Sequence, residues 1–238
     1  AATDLTAGAA ILSAPGTIDL DTTVGTLTAT SATLTIDETD SLILSNVVTT
    51  GTATITLAAG ALTGDLTAGT AILTGPAGIN LDTTVGTLSA GSTTGGITIR
   101  ETDGLALNAV NAAANPVSIT LAAGAITDAN GGTLNITGST LVLSAPAGIN
   151  LDTDVDTLTA SSTNSDIAID NTGALAVITV NAGTGAVMLS ATGAITDANG
   201  AANNVTAQSL TVTATGGIDL DTAVSTLSLT NNATAGTT

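Results

Sequence analysis

Nearly the same six residues are written four times along this chain. They read GTIDLDT at 16–22, GINLDT at 78–83 and again at 148–153, and GIDLDT at 217–222. A chain of self-similar copies folds by stacking them, because one copy cannot bury its apolar face alone. Ile18, Ile79, Ile149 and Ile218 are equivalent, which sets successive periods of 61, 70 and 69 residues. Other stretches keep the same phase. ITLAAGALTG at 55–64 returns as ITLAAGAITD at 119–128, and TIDETDSLILSNV at 35–47 returns as TIRETDGLALNAV at 98–110. The copies divide 1–238 into superrepeats at 4–64, 65–132, 133–203 and 204–238, with no shift of composition marking a boundary.

Inside each copy the apolar residues stand two apart, as in TATITL, GGITIR and STLVLS. That is the period of a strand, whose side chains alternate between faces. Thr fills many outward places, and its branched Cβ favours strands. Gly, Asn, Asp and Pro punctuate the runs in SAPG, TGPAG and DANGG. No 3.6-residue apolar spacing persists. The expected fold is all-β: a right-handed parallel β-helix, or solenoid, with about three coils in each superrepeat. Coils of roughly 20–23 residues would give about ten or eleven in all, in a rod on the order of 50 Å long. In GINLDT the Ile and Leu enter the core while the Asn and Asp face out. Asp21, Asp82, Asp152 and Asp221 would then form one file, about 14 Å apart.

Composition narrows the function. The 238 residues include no Phe, Tyr, Trp, Cys or His, so the core is built from aliphatic side chains. Nineteen acidic residues stand against one basic residue, Arg100, for a net charge of −18. Nucleic acid is not expected as a partner, since a single cation cannot replace its counterions. Membrane insertion is not expected either, because polar residues interrupt every apolar run. The acidity reads as a device that keeps an apolar repeat soluble. The chain opens on AATDLTAGAA without Met or a basic stretch, which reads as a mature chain or a window of a longer one.

GAITDANGGTLNITGSTLVLSA and SDIAIDNTGALAVITV resemble the repeats of filamentous-haemagglutinin-type adhesins and related giant bacterial surface proteins. The resemblance covers nearly the whole chain and rests on repeat style. It implies secretion to the extracellular space or the bacterial cell surface, and a role as an extracellular filament, stalk or adhesin. Its partners would be further copies or further chain, through end-to-end self-association or continuation, and a cell-surface or carbohydrate ligand. The opening and closing stretches, AATDLTAG and NNATAGTT, do not read as caps, which fits such continuation.

No catalytic residue is assigned. Without His, Cys or Lys most nucleophile–base pairs are unavailable, and the chain is not expected to be an enzyme. Paired carboxylates leave polysaccharide cleavage as a further reading. No cofactor is expected except calcium, for which Asp152, Asp154 and Asp156 in DTDVD are the candidate ligands. They lack the Gly and Glu that complete a calcium loop, and a solvated acidic face is the competing reading. DETD at 37–40 reads as a solvated corner, and the DAN segments at 128–130 and 197–199 as turns. The Thr-x-Thr and Thr-x-Ser pairs at 26/28, 87/89, 157/159 and 226/228 raise ice binding. They recur once per superrepeat, which favours Thr as a strand-forming surface residue. Asn135, Asn204 and Asn232 begin glycosylation sequons.

Overall fold

A computed structural model describes residues 3–232. They form a β-solenoid of about 13 turns, with no helix. Every strand pairing is parallel, and strands one turn apart lie side by side. Residues 1–2 and 233–238, including most of the closing NNATAGTT, lie outside the described residues.

Each turn contributes to two ladders. The first runs through Ile18, Leu34, Ala53, Ala71 and Leu88. Its steps are 16, 19, 18 and 17 residues. The second runs through Leu27, Leu44, Gly64, Leu81, Ile99, Ile119, Leu143, Ala160 and Val180. Most turns are thus shorter than the 20–23 residues expected from the sequence. The count rises accordingly, and the rod lengthens to about 60 Å at the usual strand spacing.

The strand period puts alternate residues inside. In strand Thr33–Glu38, Leu34 and Ile36 are buried while Thr33 and Thr35 point outward. In strand Ile79–Gly91, Ile79, Leu81, Val85 and Leu88 are buried. Each inward residue rests on its counterpart one turn away, so one hydrophobic core runs from Ala10 to Ala214. A fully buried Leu or Ile contributes about 1.5–3 kcal/mol. Stacked aliphatics therefore replace the aromatics the chain lacks.

The registers also resolve the superrepeat. Ile18 leads by whole turns to Ala71 and then to Leu88, and Ile79 falls midway between those two. Ile149 likewise falls midway between Leu141 and Leu158 on the ladder from Ile79. Ile218 falls midway between Leu210 and Leu227 on the ladder from Ile149. One superrepeat is three and a half turns. Successive copies of the motif alternate between the two ladders. The expected single file of Asp21, Asp82, Asp152 and Asp221 does not exist, because each copy ends half a turn out of phase.

The longer second and third copies have a local cause. In the first copy the chain steps 19 residues, from Val47 to Leu66, at a corner where the later copies step from Val110 to Ile136 and from Val180 to Val205. The DAN segments bulge out at that corner.

Candidate functional site

The repeated motif builds a polar corner inside an aliphatic rod. Thr22, Thr83 and Thr153, the last residue of three motif copies, are 1%, 3% and 0% exposed. Each donates its hydroxyl to a residue one turn on: Glu38 Oε2 at 2.8 Å, Glu101 Oε2 at 2.8 Å and Asn171 Oδ1 at 2.8 Å. The same oxygens accept the backbone N–H of Val24, Val85 and Val155 at 2.9, 2.9 and 3.1 Å. The other carboxylate oxygen of Glu101 accepts the Thr102 N–H at 2.7 Å, and that of Glu38 accepts the Thr39 N–H at 2.8 Å. Asn171 uses its amide nitrogen to donate to the carbonyls of Val155, Thr172 and Ala174. A carboxylate surrounded by N–H and O–H donors is internally satisfied. DETD is therefore not wholly a solvated corner. Asp37 and Asp40 are exposed, but Glu38 is buried because Thr22 and Val24 need an acceptor there.

The DAN segments form a second polar knot. Asp128 Oδ1 accepts from Asn130 N at 2.7 Å, Gly131 N at 3.0 Å and Asn135 Nδ2 at 2.8 Å. Asp197 Oδ1 accepts from Asn199 N at 2.7 Å and Asn204 Nδ2 at 2.8 Å. These bonds, the asparagine side chain first, hold both carboxyls below their ordinary value. Asn135 and Asn204 pass the order on, each accepting a backbone N–H from the next turn, Asp152 and Asp221 respectively. Both are 0% exposed, so these two sequons begin at core residues and are not open to a glycan. Asn232 is exposed, and its sequon runs outside the described residues.

The candidate calcium ligands take three different places. Asp152 is half-buried on strand Ile149–Asp154, Asp154 is exposed at its end, and Asp156 is exposed in the following corner. Asp152 pairs in register with Asp170. Burial first, and then the charges of Asp170 and Asp128, push its carboxyl above the ordinary value. Among the described residues, no group of three His, Cys, Asp or Glu is placed to hold a metal ion.

Asp21 and Asp37 form a second stacked acidic pair, and Asp65 stacks on Asp82. There Arg100 takes the next place. Its Nε donates to Asp82, and its Nη1 donates to Asn80 at 3.0 Å. The chain's single cation thus offsets one of the two acids in this column on the second ladder.

Threonine is more regular than the sequence period suggests. On the first ladder Thr17 pairs with Thr33, and Thr52 with Thr70 and then Thr87. Thr33 and Thr52 directly precede the paired Leu34 and Ala53. This file of single Thr residues, distinct from the Thr-x-Thr pairs, recurs every turn for five turns; the uneven turn lengths hide it in the sequence.

Two grooves of about 600 Å³ open on the rod. One is lined by Ile126, Gly148, Ile149, Asn150 and Asp166, the other by Thr50, Thr67, Gly69, Thr84 and Asp103. Both are shallow, and no aromatic residue is available to stack on a sugar. No helix among the described residues is long and apolar enough to cross a membrane. No known family model, curated protein or solved structure matches the chain.

Proposed function

We propose that this chain is a structural segment of a secreted bacterial surface filament or giant adhesin stalk. The observation that carries the reading is the unbroken stack of similar layers, in which the buried polar groups of the repeated corner are spent on one another. A carboxylate used to close a corner is not free for chemistry, so the reading assigns no catalytic role. Uniform layers suit a spacer, whose length is set by the number of copies.

The test is location together with shape. Antibodies raised against the chain should label intact, unpermeabilised producing cells, and the purified chain should image as rods of even width. Label confined to the cell interior would overturn the surface reading. A rounded particle would overturn the spacer reading.

A further inference from the structure

We infer that the outer face of the first ladder, over its first five turns, is a binding surface for ice. Three files of side chains run along this face. The first file is Thr17, Thr33, Thr52, Thr70 and Thr87. The second is Asp19, Thr35, Thr54, Ile72 and Ser89, and the third is Asp21, Asp37, Thr56, Thr74 and Gly91.

Three observations single the face out. Its strands pair from Thr17 to Gly91 without a register shift, whereas the second ladder slips at Leu27/Thr28 and at Leu44/Val47. The next step on the first ladder slips at Leu88/Ser89, so regularity and threonine end together. Finally, the block made by 52–56, 70–74 and 87–91 contains no charged residue, in a chain of net charge −18.

The geometry points to an ordered water surface. Ranks repeat at about 4.8 Å across the strands, and files at about 6.6 Å along them. These are close to the spacings at which water repeats on surfaces of hexagonal ice. Each Thr offers a methyl and a hydroxyl on a side chain that is stiff at χ1. The Thr17 and Thr33 hydroxyls hydrogen-bond one another at 2.8 Å, which fixes them further. Exposed Ile72 replaces one Thr and keeps the methyl level. Such a face holds a lattice of water without reorganising, and its cost of binding is correspondingly small. The inference does not depend on the stalk reading.

The experiment is ice-affinity partitioning of the chain. Ice is grown slowly from a dilute solution, and protein in the ice and liquid fractions is measured beside an inert carrier protein. The chain should be enriched in the ice. Thr54→Lys and Thr70→Lys, in the middle of the face, should fall to the carrier's level, with far-UV circular dichroism confirming that they remain folded. Thr159→Lys, outward on the second ladder, should partition like the parent. Exclusion of the parent chain from ice would overturn the inference, and so would an equal loss in Thr159→Lys or full retention in the two face variants.

Discussion

Removing one corner carboxylate tests the account of the repeat directly. In Glu101→Ala the hydroxyl of Thr83 and the N–H of Val85 lose their acceptor, and both residues lie within the rod. A buried donor left unpaired costs about 1–3 kcal/mol. Thr83 recovers part of this through the carbonyl of Arg100, at a long 3.4 Å. The N–H groups of Thr102 and Asp103 lie nearer the surface and exchange the carboxylate for water. The lost side-chain packing adds a smaller amount, so the total expected is about 3–5 kcal/mol. Glu101→Gln keeps one carbonyl oxygen for Thr83 and Val85. Its amide can turn toward carbonyls as Asn171 does, for a cost of about 1 kcal/mol. The assay is urea unfolding followed by far-UV circular dichroism, because the chain has no aromatic fluorophore. A loss below about 1 kcal/mol in Glu101→Ala, or equal losses in both variants, would refute the idea that this carboxylate holds the corner together.

Acid should loosen the DAN knots. Asp128 and Asp197 titrate below the ordinary 3.8, so the stability they supply is complete above that value and is lost as pH falls through the lowered one. Unfolding midpoints measured from about pH 5 to about pH 2 should fall more steeply for the parent than for a variant carrying Asp128→Asn and Asp197→Asn. Asp152 behaves oppositely: its raised carboxyl favours the fold when protonated. Asp152→Asn should therefore raise the midpoint at neutral pH, with the gain fading as pH drops through the raised value. Gly64 has φ +112, and an added Cβ would meet the Leu44 carbonyl oxygen at 1.9 Å. Gly64→Ala should cost about 3 kcal/mol or more, against about 1 kcal/mol for Gly200→Ala, where φ is +71 and no atom lies within 4 Å. Excising residues 149–217 should leave a folded rod shorter by about 17 Å in X-ray scattering, which is three and a half strand spacings.

The strands were legible because alternation is a local signal: each of Leu34, Ile36, Ile79 and Leu81 stands two residues from its inward neighbour. The turn length was not. Equivalent Ile residues reveal how long a copy is, but the number of times the chain goes round depends on where corners fall. Gly64 lets the first copy run straight past a corner at which Asp128 and Asp197 open loops, so no single spacing applies. The regular rank of Thr17, Thr33, Thr52, Thr70 and Thr87 is hidden in the sequence for the same reason. Glu38 reads as solvated in the sequence because Asp37 and Thr39 flank it. What buries it, and Glu101 in the next copy, is a donor pair 14–18 residues earlier in the chain, and only the winding brings them together. Asn135 and Asn204 carried the signature of surface sequons and are core residues. The local pattern does not register that each binds the carbonyl of a residue more than 25 positions away.

The half turn left over in every superrepeat gives the rod an internal twofold screw. Moving one copy along the axis, by about 17 Å, also carries its outer surface to the opposite side. Asp82 and Asp221 therefore share one flank, and Asp21 and Asp152 the other. A flat partner lying against the rod meets only every second copy, while the copies between them face away and present the same chemistry to a second partner. Adding one superrepeat to such a rod changes its reach and reverses the side on which its end is displayed; adding two restores it.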